Sequence, residues 1–194
     1  MKRVAIVYFS KYGQTAKIAE RLRVALAAHG AQATSYQIAG RGDFAGIDLE
    51  AADGVVVGGP VFAGKLPKPL REWALRNTAK LNSKPLGVFT VSLNAADARP
   101  QAREGDRTVL HAFCDATQLY PKLSASFKGA LTYSKYGPFM RWMMKRISAS
   151  ASGPTDTGQD YEMTDWAEVD AFAPEFVQLL IKPKSEPERS KLSA

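Results

Sequence analysis

The chain has 194 residues, 45% of them hydrophobic and 23% charged, with 15 glycines, 11 prolines and one cysteine. That balance excludes collagen-like, disordered and disulfide-stapled chains and suits one cored domain with something added. Lysine and arginine exceed aspartate and glutamate by 26 to 19, a net charge of +7, so the surface attracts anions: nucleic acid, acidic lipid or an acidic small molecule.

Val4-Ala5-Ile6-Val7-Tyr8-Phe9 is a short continuous apolar run, the pattern of a strand covered by helices on both sheet faces. A polar turn, Ser10 to Thr15, leads into Ile18, Leu22, Ala25 and Leu26 at helical spacing, with Gly30 placed as a C-terminal cap. Ala33 to Ile38 reads as a weaker edge strand, and Gly54 to Pro60 as a buried strand stopped by a rigid turn. Leu66, Leu70, Trp73 and Ala74 line a helix with Pro67 near its start. Leu86 to Leu93 is the next strand, followed by a polar loop and a helix carrying Val109, Leu110 and Phe113. Leu123 to Tyr133 is a fifth strand of mixed polarity. Trp166, Val169, Phe172, Ala173, Phe176, Val177 and Leu180 form the stripe of a last helix, with Asp165 and Glu168 as a capping pair. This alternation predicts an α/β fold: a doubly wound, five-stranded parallel sheet with helices on both faces.

Two stretches stand outside the alternation. Ser134 to Met163 separates the fifth strand from the last helix and exceeds the ~12–15 residues of an ordinary loop. The other is the tail over 183–194, whose Lys, Glu, Ser and Pro content predicts disorder. The expected organisation is a single domain over 1–182, with the insertion at about 134–163, plus that tail. No apolar run approaches the ~18 residues of a membrane span, and Met1-Lys2-Arg3-Val4 carries no signal-peptide pattern. With one cysteine, Cys114, read as a core residue, the expected location is cytoplasmic.

Ser10, Lys11, Tyr12, Gly13, Gln14 and Thr15 lie between a buried strand and a helix N-terminus, where unpaired N–H groups and the helix dipole favour an anion. Ser10 and Thr15 add hydroxyls, Gln14 an amide, and Gly13 lets the backbone curl close. The loop lacks the Gly-Lys-Ser/Thr of a Walker motif and the three spaced glycines of a dinucleotide fingerprint. A single-phosphate mononucleotide fits it; a plain capped βα turn accounts for it equally well. Ligands of doubly wound sheets sit at the carboxyl ends of the strands, and two more loops open there: Gly59-Pro60-Val61-Phe62-Ala63 and Ser92-Leu93-Asn94. Phe62 is placed to cover a flat ring, or else to lie under its own loop.

Ser-Lys-Tyr-Gly-Gln-Thr at 10–15 resembles the flavodoxin phosphate loop, and Gly-Gly-Pro-Val-Phe at 58–62 resembles the turn that brings an aromatic against the flavin ring. The resemblance covers roughly residues 1–133 and 163–181 and implies non-covalent FMN. It departs at Tyr12, where many flavodoxins carry a hydroxyl amino acid, which leaves Ser10, Thr15 and the backbone donors for the phosphate. Electron-shuttling flavodoxins are acidic, whereas this chain is +7. Leu81-Asn82-Ser83-Lys84-Pro85, Thr155-Asp156-Thr157 and Tyr161 to Trp166, around a basic insertion, resemble the menaquinone-dependent protoporphyrinogen oxidase family. That resemblance implies oxidation of protoporphyrinogen IX to protoporphyrin IX in haem biosynthesis, with electrons leaving to menaquinone or ubiquinone. The other expectations for this fold are an FMN-dependent quinone or NAD(P)H reductase, and a non-enzymatic electron carrier.

The insertion has its own pattern. Pro138 starts a helix on which Phe139, Met140, Trp142, Met143, Met144 and Ile147 share a broad face, with Arg141 and Lys145 opposite and Arg146 inside the apolar arc. Apolar bulk with flanking cations suits an anionic membrane surface, a porphyrinogen with two propionates, or packing on the rest of the domain. Lys135, Arg141, Trp142, Lys145 and Arg146 are therefore the candidate substrate or membrane residues, and a peripheral position on the inner membrane face is expected. Since the core elements are complete without this segment, it is expected to serve substrate or membrane and not the fold. Asp97, Arg99, Arg103, Glu104, Asp106 and Arg107 read as a solvated loop, and His29 and His111 as solvated or satisfied side chains. No catalytic side chain and no metal-ligand spacing stand out, and no nucleic-acid motif accompanies the positive charge.

Overall fold

A computed structural model describes residues 1–38, 40, 46–93, 100–150 and 153–181, with backbone alone at 100–103 and 150. The chain runs β1 (Lys2–Phe9), α1 (Gln14–Ala28), β2 (Ala31–Ile38), β3 (Gly54–Pro60), α2 (Lys68–Arg76), α3 (Thr78–Asn82), β4 (Leu86–Ser92), α4 (Pro100–Thr117), β5 (Leu123–Lys128), β6 (Ala130–Leu131), α5 (Pro138–Ser150), β7 (Tyr161–Glu162) and α6 (Trp166–Ile181). Strands β1 to β5 form one parallel sheet in the order β2-β1-β3-β4-β5. This is the doubly wound architecture the alternation predicts, with the weak strand β2 at an edge.

Period-two alternation sends successive strand residues to opposite faces. Ala5, Val7, Val55, Val57 and Val88 meet Leu70, Trp73, Leu110 and Phe113 of α2 and α4. Val4, Ile6, Val56, Phe89 and Val91 meet Ile18, Leu22, Phe172 and Phe176 of α1 and α6. Both faces being covered, the central strands have no polar side, which is why they read as unbroken apolar runs. At the start of α6, Asp165 Oδ1 accepts from the N–H groups of Ala167 (3.1 Å) and Glu168 (3.4 Å), as its capping position predicts.

The structure corrects the sequence reading in three places. The fifth strand ends at Lys128, because its partner β4 ends at the paired Ser92 and the ladder has nothing further to bond. Ala130–Leu131 instead pairs antiparallel with Tyr161–Glu162, so the insertion effectively begins near residue 130 and closes as a small hairpin. A short helix, α3, precedes β4; its single buried residue, Leu81, leaves no periodic signal. Finally, Glu104, Asp106 and Arg107 belong to α4, not to a loop, and Asp106 is 1% exposed. The tail at 183–194, and with it the expectation of disorder, lies outside the described residues.

Candidate functional site

A cavity of about 590 Å³ opens at the carboxyl ends of β1, β3 and β4. Its lining comes from the three loops singled out in the sequence and from residues 129–147 around the insertion.

In the first loop Gly13 adopts φ +100°, a conformation that side-chain-bearing residues rarely hold. Ser10 Oγ accepts from the N–H groups of Gly13 (3.2 Å) and Ala16 (3.3 Å), which braces the turn and leaves the Ser10 hydroxyl proton free to donate. The N–H groups of Lys11, Tyr12, Gln14 and Thr15 meet no acceptor among the described residues. Thr15 is 2% exposed yet lines the cavity. Several backbone donors, two hydroxyls and a helix N-terminus around one concavity form a donor set that fits a phosphate. Gln14 also lines the cavity, but its amide nitrogen donates to Thr164 Oγ1 at 2.7 Å, and that hydroxyl donates to Lys128 O at 2.8 Å.

The second loop leaves β3 through Gly59 and Pro60. The Val61 N–H donates to Val91 O at 2.8 Å, and the chain then reverses with mutual bonds between Phe62 and Lys65 at 2.9 and 3.0 Å. Ala63 and Gly64, at the centre of this turn, have φ +47° and +72°, the paired positive values of a mirror-image hairpin turn. The turn presents Phe62, 39% exposed, to the cavity. The Tyr12 ring stands edge-on to Phe62 with centroids 6.1 Å apart, and the Lys11 ammonium lies 5.2 Å from the Tyr12 centroid and 5.9 Å from that of Phe62. From β4, Ser92 and Leu93 reach the same cavity; Asn94 lies outside the described residues.

The insertion packs onto the first loop. Leu131, Tyr133 and Tyr136 are buried in a satellite cluster that takes in Tyr12, Leu93, Met140, Met144, Tyr161 and Met163. Tyr12 and Tyr136 meet edge to face at 4.8 Å. The Tyr12 ring thus joins the first loop to the insertion. Lys17 of α1 pairs with Glu162 of β7 at 2.7 Å, and Trp166 Nε1 donates to the same carboxylate at 3.1 Å. These contacts show the insertion packed on the rest of the domain: its hydrophobic side chains have no sheet face left to cover and bury against the loop instead.

Helix α5 divides its apolar arc. Met140, Met143, Met144 and Ile147 line the cavity, while Phe139 and Trp142 are 72% and 56% exposed. Arg141 turns inward, donating from Nε to Tyr133 O (3.2 Å) and from Nη2 to Tyr136 O (3.4 Å). Arg146 lies 5.4 Å from the Trp142 ring centroid, and Lys145 is exposed. Lys135 reaches the first loop, where its Nζ donates to Tyr12 O at 2.8 Å. None of these five lines the cavity.

Electrostatics follow from these placements. Two hydrogen bonds from Ser134, its hydroxyl at 2.6 Å and its N–H at 2.8 Å, hold the Asp160 carboxyl below the ordinary value, helped by the charges of Lys135 and Lys17. Burial raises the Asp106 carboxyl, and the Ser92 hydroxyl opposes that rise. Burial likewise pushes the Cys114 thiol up to about 11, the state of an inert core thiol. Among the described residues the cavity wall holds no carboxylate and no histidine. Sequence reasoning missed Gly129, Ala130, Thr132 and Tyr136 as wall residues; a fifth strand running through to Tyr133 hides the change of partner after Lys128, where the chain leaves β4 and pairs with β7.

The flavodoxin domain family matches residues 5–158. A protoporphyrinogen IX dehydrogenase (quinone) of Escherichia coli strain K12 is 31% identical over 179 residues, covering 92% of this chain and 96% of that protein. A protein of the same name from Leishmania major is 27% identical over 137 residues, which is 71% of this chain and 58% of the relative. Among solved structures, a short-chain flavodoxin associated with a bacterial microcompartment superimposes with a TM-score of 0.56 at 16% identity, covering 92% of this chain and 98% of its own. Flavodoxin 1 of Bacillus cereus gives 0.54 at 15% identity, covering 91% and 98%. The wound sheet, the loop geometry at its carboxyl edge and the match across most of the sequence agree: the chain belongs to the flavodoxin domain family.

Proposed function

We propose that this protein is a flavin-dependent oxidoreductase that holds FMN at the first loop, oxidises protoporphyrinogen IX to protoporphyrin IX and passes the electrons to menaquinone or ubiquinone. The observation that carries the reading is the cavity itself: it runs from a phosphate-type donor set to an apolar wall built from the insertion. The 31% identity to a dehydrogenase of that name spans 92% of the chain, too much to leave the insertion out.

Ser10, Thr15 and the free N–H groups of Tyr12 and Gln14 are the residues that would hold the phosphate, and Phe62 with Tyr12 would flank the ring. The flavin, when bound, supplies the two-electron chemistry. Everything else falls to the walls. Met140, Met143, Met144 and Ile147 offer a soft, adaptable apolar face suited to a flat macrocycle or a quinone ring. Lys11 stands at the mouth as a cation for a propionate. Three two-electron steps remove six hydrogens, four from the bridging carbons and two from nitrogen; three would pass to the flavin as hydride equivalents, and, with no carboxylate or histidine among the described wall residues, the three protons would leave to water. A porphyrinogen gives up more electrons than a flavin accepts at once, so donor and acceptor alternate at one opening.

Exposed Phe139 and Trp142 beside Lys145 and Arg146 support docking of α5 on an anionic membrane, where a quinone resides. No described helix is long and apolar enough to cross one.

The test is anaerobic. Protoporphyrinogen IX is expected to bleach the bound flavin, and menaquinone to restore its colour. Bleaching by NAD(P)H alone would make the protein a reductase of the same fold, and absence of steady turnover with either donor would make it a carrier. Sedimentation with vesicles is expected only when they contain anionic lipid, and Trp142→Ala is expected to weaken it.

A further inference from the structure

We infer that Lys135, contributed by the insertion, is a positioning residue of the phosphate site. It locks the peptide between Tyr12 and Gly13 and sets a fixed positive charge against the loop. The inference rests on the reading of the first loop as the seat of FMN.

One peptide plane is held at both ends. Its N–H, on Gly13, donates to Ser10 Oγ at 3.2 Å. Its carbonyl, on Tyr12, accepts from Lys135 Nζ at 2.8 Å. In a trans peptide these two groups point in opposite directions, so the two bonds together fix the tilt of the plane about the chain. That tilt matters because Gly13 has φ +100°: a rotation of this plane would pull the Gly13 N–H off Ser10 Oγ and swing the Tyr12 carbonyl, an acceptor, between the N–H groups of Tyr12 and Gln14, which meet no acceptor among the described residues. The ammonium also lies close over the loop, 3.1 Å from where a side chain on Gly13 would begin. Lys135 makes no ion pair among the described residues, although its charge reaches the Asp160 carboxyl, whereas Lys17 is paired with Glu162 at 2.7 Å. An ammonium has three donors, and the Tyr12 carbonyl takes one.

The arrangement predicts selectivity for a phosphate-bearing flavin over a bare one. Riboflavin carries the same ring and ribityl chain without the phosphate, so it uses the cavity walls and leaves the first loop empty. Loss of Lys135 then penalises FMN alone.

Lys135→Gln and Lys135→Arg are titrated with FMN and with riboflavin at two salt concentrations, with Tm measured alongside. Lys135→Gln is expected to weaken FMN about tenfold, in line with loss of one charge-assisted contact, to leave riboflavin unchanged and to flatten the salt dependence of FMN binding. Lys135→Arg is expected to restore most of the FMN affinity. Equal losses for the two ligands would make Lys135 a packing residue and overturn the inference, as would unchanged FMN affinity in Lys135→Gln. A wild-type protein that binds riboflavin as tightly as FMN, or FAD in its place, would overturn the FMN reading itself, and the inference with it.

Discussion

Thr15 is buried to 2% exposure and still faces the cavity, so its hydroxyl has little to bond with except a ligand. Thr15→Ala is expected to weaken FMN by about 1.5–3 kcal/mol, the range for a hydrogen bond to a charged group, as measured by quenching of flavin fluorescence on titration. Ala63 holds a left-handed conformation, φ +47°, that glycine adopts without steric cost. Ala63→Gly is expected to stabilise the protein by about 0.5–1 kcal/mol once the added freedom of the unfolded chain is subtracted; thermal unfolding checks it. Ser10, Gly13 and Thr15 were legible in the sequence because a strand, a short polar turn and a helix are contiguous, and local chemistry says where donors collect. The position of Lys135 was not, since its partner lies 123 residues away and the apolar pattern of α5 draws attention to the wrong end of the insertion.

At the scale of elements, burial on both faces made β1, β3 and β4 easy to find, while β5 was drawn too long because side-chain pattern does not show where a neighbouring strand stops. The apolar arc of α5 was legible as an arc; its division between cavity and solvent depends on which residues face Tyr12 and Tyr136. Asp160 anchors the turn before α5 to β7 through Ser134. Its folded pKa is lowered, so its contribution is present above the unfolded carboxylate value of about 4 and is lost as pH falls through the folded value. Wild type is therefore expected to lose more stability than Asp160→Asn between about pH 5 and pH 2, as thermal melts across that interval would show. Replacing residues 134–163 by a short Gly/Ser linker shortens the loop, which lowers closure cost by only ~0.6 kcal/mol per halving of its length, and the sheet is expected to fold. Because the segment braces Tyr12 and Gly13, the linker variant is expected to bind FMN more weakly as well as to lose porphyrinogen oxidation, which flavin titration and a turnover assay measure separately.

For the whole molecule, the net charge of +7 sets a field that draws in anions before any contact forms. The association rate of FMN is expected to fall as salt is raised across the range where the Debye length shrinks from about 30 Å to about 10 Å, which stopped-flow fluorescence reads directly. The dissociation rate, governed by short contacts inside the cavity, is expected to change far less.

The hydrogen bonds that complete the first loop span great sequence distances: 123 residues from Lys135 to Tyr12 and 150 from Gln14 to Thr164. The turn between β1 and α1 acquires these partners only after residue 164 has been made. Until then the first loop is unbraced, and long-range closures of this kind are slow compared with local helix formation. The order of events is thereby set by topology: a chain that stops before residue 164 lacks the fully braced first loop, and flavin uptake through that loop is expected late in folding.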